Sequence, residues 1–244
     1  MFRHAGKRRT YTHNVQLASL LSLVAGLVNV TGFIAVQRLT TNVTGHFAFF
    51  VDEVYRMHFA AGAVYFLYIF FFFIGSFFSN VMIELALRFR RKHSYYFPAA
   101  TECLLLCGFG WASEEWVVRH PNFLAYGLLF AMGMQNSLVT TISNAAVRTT
   151  HLTGLFTDLG IELSQLFFFR KKEEQAQLWS VIKLRLTIIG CFFSGGLLGG
   201  LFYAVLGLRL LLMAGLILVA AMFYDSLKLR WLLYLRSRQH QYSS

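Results

Sequence analysis

Charge is scarce in this chain. Only 14% of its 244 residues are Asp, Glu, Lys or Arg, and only 11 are acidic, where a soluble globular domain carries about a quarter charged residues. Proline is nearly missing, at 2 residues, so long stretches contain nothing that interrupts a helix. The 3 cysteines do not make a disulfide framework. Cys103, Cys107 and Cys191 all lie in apolar runs, where packing is their ordinary use. Cys103 and Cys107 share a helix face, but two sulfurs without a nearby histidine are a poor metal site. There is also no nucleophile elbow, phosphate-cradling glycine loop or zinc-protease helix. We therefore expect no enzyme, no metal and no cofactor.

What fills the space is apolar: 57% of the residues are hydrophobic, 26 of them Phe. A helix needs roughly 20 apolar residues to cross the hydrocarbon core. Six such stretches can be read, over 15–36, 59–87, 98–118, 123–143, 181–206 and 208–226. The expected fold class is an all-α polytopic membrane protein of six transmembrane helices. The apolar run that begins near residue 15 is too long for a signal peptide and has no small-residue cleavage site, so it reads as a retained first span.

The net charge of +11 does not point to nucleic acid, because no basic, aromatic-interleaved motif accompanies it. Its distribution is more telling. With both termini placed in the cytoplasm, all 22 basic residues except Arg38, Arg56, Arg119 and Arg209 fall on the cytoplasmic side. That asymmetry is the positive-inside rule. It predicts an integral membrane protein whose basic cytoplasmic face meets anionic lipid headgroups.

One phrase occurs twice. Thr40-Thr41-Asn42-Val43-Thr44-Gly45-His46-Phe47 aligns with Thr149-Thr150-His151-Leu152-Thr153-Gly154-Leu155-Phe156, with five of eight positions identical. Each copy follows a hydrophobic span and precedes a short amphipathic stretch. The chain then divides into one membrane domain of two repeats, 14–118 and 123–226, between basic tails at 1–13 and 227–244. Three spans per repeat invert the second copy in the bilayer. Inverted repeats are a recurrent plan of secondary transporters, whose polar sites gather where the repeats meet; the plain alternative is a duplication retained for folding. The stretch after the second phrase has Leu155, Leu159, Leu163 and Leu166 on one side and Asp158, Glu162 and Gln165 on the other, so it reads as an interfacial helix. Its carboxylates read first as a solvated face.

Polar side chains inside spans are costly and so point to sites. Asn29 and Thr31 lie near the end of the first span; Gln135, Asn136 and Thr140 lie in the second half of the fourth. Asn29 and Asn136 are approximate counterparts in the repeat. They offer neutral donors and acceptors to a polar solute, or else hydrogen-bond between helices, worth about 0.6 kcal/mol per pair. In the phrases, Gly45 and Gly154 allow positive φ or close approach. Thr40, Thr41, Asn42, Thr44, His46, Thr149, Thr150, His151 and Thr153, with Asp158, are the expected gating or pore-lining set, against the simpler use of threonines as helix caps. Glu102, one turn into the third span, is a candidate proton-coupling carboxyl or a side chain snorkelling to the basic inner face. Gly195, Gly196, Gly199 and Gly200 form overlapping Gly-x-x-x-Gly pairs, an expected packing surface for a homodimer.

Gly26-Leu27-Val28-Asn29-Val30-Thr31-Gly32-Phe33, Thr44-Gly45-His46, Gly133-Met134-Gln135-Asn136 and Thr153-Gly154 together resemble the YoaK-like family of small bacterial inner-membrane proteins of unknown function. The resemblance covers about residues 14–223. It implies a membrane fold and these candidate positions, and no substrate. Members of that family often have Asp in place of Asn29 and Asn in place of His46. The departure at Asn29 argues against ion coupling there. The six-span plan is also similar to half of a major-facilitator transporter, in which case a homodimer would supply the other half. The expected function is a carrier for a small polar or amphipathic solute. The alternative is a structural or regulatory membrane module that binds a lipid or protein partner.

Overall fold

The computed structural model describes residues 10–89, 94–169 and 171–223. The basic clusters at 1–9, 90–93 and 228–238, and Arg170, lie outside the described residues. Every regular element among those described is helical: α1 (Tyr11–Val36), α2 (Val43–Tyr55), α3 (Phe59–Arg88), α4 (Tyr96–Gly110), α5 (Glu114–Arg119), α6 (Pro121–Ser143), α7 (Leu152–Gln165), α8 (Lys172–Leu206) and α9 (Arg209–Phe223).

Four of these, α1, α3, α6 and α8, are long and apolar enough to cross a membrane. The expectation of six spans is not met in full. The third stretch breaks at Trp111–Ser113, where Ser113 accepts a hydrogen bond from the Trp116 backbone N–H and opens α5. α4 has only 15 residues, a rise of roughly 22 Å at 1.5 Å per residue against a core of about 30 Å. α9 is of similar length.

The long helices pack in two close pairs, α1 with α8 and α3 with α6, and α1 and α6 also touch. Both pairs are built on glycine. A Cβ on Gly26 would overlap the Phe192 carbonyl, and one on Gly195 the Leu23 carbonyl. In the other pair, a Cβ on Gly133 would overlap the Phe72 carbonyl, and one on Gly75 the Phe130 carbonyl. Leu23 and Gly26 have the spacing of Phe130 and Gly133, and Phe72 and Gly75 that of Phe192 and Gly195. The same backbone-to-backbone crossing is thus made twice.

This redirects the glycine pairs of α8. Gly195 and Gly199 turn inward onto α1, and Gly196 rests against Val30. They serve packing within the chain. Gly200 borders a lateral groove of about 470 Å³ between α1 and α8, lined by Asn29, Phe192, Phe193, Gly196 and Leu201 among others.

α1 and α6 end alike. Gln37 and Asn144 both adopt a left-handed conformation, φ 53° and 52°, and each returns its backbone N–H to a carbonyl of the last turn. A left-handed C-terminal residue is a standard way to stop a helix and reverse the chain. Here it brings each Thr-Thr pair back beside the helix it has just left.

Candidate functional site

The returning phrases close on the intramembrane amides. Thr41 Oγ1 donates to Asn29 Oδ1 at 2.9 Å, and Thr150 Oγ1 donates to Asn136 Oδ1 at 2.9 Å. Asn136 Nδ2 is spent on its own helix, donating to the Met132 carbonyl at 3.0 Å. Gln135 Nε2 crosses from α6 to α1, donating to the Leu21 carbonyl at 2.8 Å and also approaching Thr149 Oγ1 at 3.3 Å. Thr40 and Thr149 are fully buried. The two amides do not meet each other. Each is clasped by the phrase that follows its own helix; both stay half-buried, and Asn29 also borders the lateral groove between α1 and α8.

The remaining residues of the expected set are scattered. Thr31 is buried beside Gly199 on α8. Thr140 is half-buried in the last turn of α6, where its carbonyl accepts from Ala145 N–H at 2.8 Å. Asn42 caps α2, accepting from Gly45 N–H at 2.9 Å. Thr44, Thr153 and His151 are exposed. Gly45 and Gly154 need no positive φ, contrary to one expectation; among the described glycines only Gly207 has it. Their use is close approach, since a Cβ on Gly154 would overlap the His151 ring and one on Gly45 would press on Leu39.

The two ends of the bundle differ. At the α2 end, His46 is 1% exposed and its Nε2–H donates to the Leu39 carbonyl. Its ring lies 4.8 Å from that of Tyr68 and 6.1 Å from that of Tyr65. Tyr68, fully buried, packs on Tyr126 at 5.1 Å and donates to Asn122 Oδ1. Phe49 packs on Tyr65 at 5.3 Å, and the Arg38 guanidinium lies 5.8 Å from the Tyr65 ring centre. Aromatic rings fill this end beside α2, while a cavity of about 700 Å³ opens at the same end between the α4–α5 turn and the α8–α9 turn, lined by Trp111, Glu114, Tyr203 and Arg209 among others.

Burial holds the His46 imidazole below its usual range; the Leu39 carbonyl opposes that shift and the Arg38 charge adds to it. A histidine buried neutral contributes stability above the ordinary value of about 6.5 and loses it as the pH falls below that. Thermal melts from pH 7.5 to 5 should therefore show a fall in stability that a His46→Gln variant lacks. Parallel curves would contradict the assignment.

At the α7 end lies a cavity of about 650 Å³ lined by residues of α1, α7, α8 and the turn after α6, among them Tyr11, Asn14, Arg148, His151, Asp158 and Arg185. Its wall holds an ion triad. Arg185 Nε lies 2.8 Å from both carboxylate oxygens of Glu162, and Arg185 Nη1 is 2.9 Å from Asp158 Oδ2. The expected solvated face of α7 is corrected here: Glu162 is 9% exposed, because α7 turns that side onto α8. Arg185, counted in the sequence only as one more cytoplasmic base, is the residue that reasoning missed. Its signal was a guanidinium inside an apolar span, where an acidic partner is required.

Triad and ring cluster lie at matching sequence offsets from the glycines of the two phrases and of the two crossings. Asp158 follows Gly154 as Phe49 follows Gly45, and Arg185 precedes Gly195 as Tyr65 precedes Gly75. The Asp158–Arg185 bridge at one end is the Phe49–Tyr65 ring contact at the other.

Glu102 does not snorkel. It is fully buried and neither carboxyl oxygen has a hydrogen-bond partner. Cys103 and Cys107 lie 4.0 Å apart, with Cys103 Sγ donating to the Gly215 carbonyl of α9.

Long apolar helices crossing on glycine, with polar groups buried between them, define a helical membrane protein. Residues 17–224 match the family described as "Protein of unknown function (DUF1275)", and the chain belongs to it. No match was found among curated proteins or among solved structures.

Proposed function

We propose that the protein is a carrier of the YoaK-like kind for a small polar or amphipathic solute, built as two inverted repeats and seen open beside α7 and closed beside α2. The observation that carries this is the contrast between the two short helices that follow the repeated phrase: an open cavity beside α7 and a plug of rings beside α2. A scaffold needs no such difference. Alternating access does, since equivalent halves open a shared site to one side at a time. The lopsided distribution of Lys and Arg supports placing the α7 end and both termini in the cytoplasm of a bacterial inner membrane. Phe167 and Phe168, exposed just before Lys171 and Lys172, would then rest on anionic headgroups of the inner leaflet.

The solute path would run from Arg148 and His151 to the clasped amides Asn29 and Asn136, with Gln135 between α1 and α6. Opening exchanges the Thr41 and Thr150 hydroxyls for groups of the solute, so both amides change partner without being left unpaired. Thr31 and Thr140 contribute less directly, through the packing of α1 and the turn that closes α6.

The test is uptake of radiolabelled amino acids, sugars and nucleosides by proteoliposomes. Saturable uptake of at least one is expected, reduced about tenfold or more by Asn29→Leu/Asn136→Leu, the scale of one or two lost hydrogen bonds. No uptake of any of them, with both ends labelling at fixed rates by an impermeant thiol reagent, would leave the membrane-module function.

A further inference from the structure

We infer that Glu102 is a proton-binding site, occupied in this conformation, and that the proton is the coupling ion of the proposed carrier. The second half of this inference rests on the carrier reading; the first does not.

Contacts between helices place Glu102 in depth. Ser76 Oγ donates to the Gly133 carbonyl at 2.9 Å, and Tyr68 bonds Asn122, so α3 and α6 run side by side in the same direction. Thr101 Oγ1 meets Met82 Sδ at 4.0 Å. Met82 follows Ser76 as Val139 follows Gly133. Glu102 therefore lies level with Leu138 and Val139 of α6, about one turn from Asn136. Two further buried polar atoms without a partner lie about one turn away, Ser79 Oγ on α3 and Gln135 Oε1 on α6.

No counter-charge reaches the carboxyl among the described residues. Among the described residues of the helices packed on α4, α6 has no charged side chain, Tyr126 being its one titratable group. Glu84 and Arg88 on α3 are exposed, as is Arg209 at the start of α9. On α4 itself the titratable neighbours are the thiols Cys103 and Cys107.

An ionised carboxylate here would be stranded, at a cost of several kcal/mol. A metal cation would need several oxygens gathered around it, and neither Glu102 oxygen has a polar neighbour within hydrogen-bond distance. A proton needs only the carboxyl. When the packing around it opens and water enters, the carboxyl ionises and releases its proton. Glu102 is thereby able to hold a proton in one conformation and give it up in another, about one turn from Asn136 on the proposed solute path.

Infrared difference spectroscopy tests the site without any solute. Purified protein in nanodiscs at neutral pH, in sodium-free buffer and again with sodium chloride, should show a protonated-carboxyl C=O stretch that is absent from Glu102→Gln. Superimposable spectra of the two proteins overturn the inference. So does a band abolished by sodium, which would make this a cation site. The coupling half is read in the same uptake panel: a pH gradient should accelerate wild-type uptake, and Glu102→Gln should lose that acceleration while keeping gradient-free exchange. Acceleration retained in Glu102→Gln overturns the coupling role. If the wild type takes up nothing, the carrier reading fails, and the infrared band alone decides the proton site.

Discussion

Leucine at Gly26 or Gly133 should abolish the native helix pairing, and alanine at either should lower the thermal stability sharply. The added carbon has no room, since it would meet a carbonyl of the facing helix and not a side chain able to rotate away. Overpacking a tight core costs about 1–3 kcal/mol, sometimes more. The helices would have to separate along the crossing that sets both pairs. Gly190 is the control. It lies on the same helix as Gly195 with nothing within 4 Å of its would-be Cβ, so Gly190→Ala should be neutral or gain up to about 1 kcal/mol of helix propensity. Thermal unfolding in detergent measures all of these. Because the crossings are equivalent, Gly75→Ala and Gly195→Ala should cost similar amounts. Equal melting temperatures for Gly26→Leu and Gly190→Leu would show that the crossings do not set the packing.

Much of this architecture is legible in the chain, because membrane helices are written as length and hydropathy. The apolar stretches at 15–36, 59–87 and 123–143 match α1, α3 and α6 to within a turn. The third stretch was read through its break. Trp111 and Trp116 keep the run apolar, while Ser113-Glu114-Glu115, a plain N-terminal helix signal, marks the stop between α4 and α5. The repeated phrase located the clasps on Asn29 and Asn136, yet not their chemistry. Periodicity cannot say that Thr41 and Thr150 turn back along their own helices, since that depends on the left-handed residues Gln37 and Asn144. The crossing glycines were half seen. Gly195 and Gly199 stood out as a packing motif, but which helix they face is a tertiary fact, and within the chain it is α1. The snorkelling reading of Glu102 failed because position along a span does not say which neighbours enclose the side chain.

The ion triad makes the sharpest use of the asymmetry between the ends. Arg185→Leu leaves Glu162, 9% exposed, without its guanidinium. Breaking a buried pair from one side costs about 3–5 kcal/mol, most of it the penalty on the stranded charge. The double variant Arg185→Leu/Glu162→Leu removes that charge and should recover most of the loss. Asp158, whose side chain is 49% exposed, needs no replacement, because water takes over its hydration. The equivalent change at the other end, Tyr65→Leu, gives up a ring contact worth about 0.5–1.5 kcal/mol beyond its buried area and strands nothing. The two ends should therefore respond unequally to matched substitutions, with a strong non-additive coupling at the α7 end and a weak one at the α2 end. A double-mutant cycle on thermal stability reads that coupling directly. If the single and double variants at the α7 end melt together, α7 is held to α8 by its leucines and the guanidinium is incidental. If the double variant recovers, the short helix beside the cavity is fastened by charge where its counterpart is fastened by rings. The cavity end then has the fastening that water entering the cavity can loosen, because hydration weakens an ion pair far more than it weakens stacked rings.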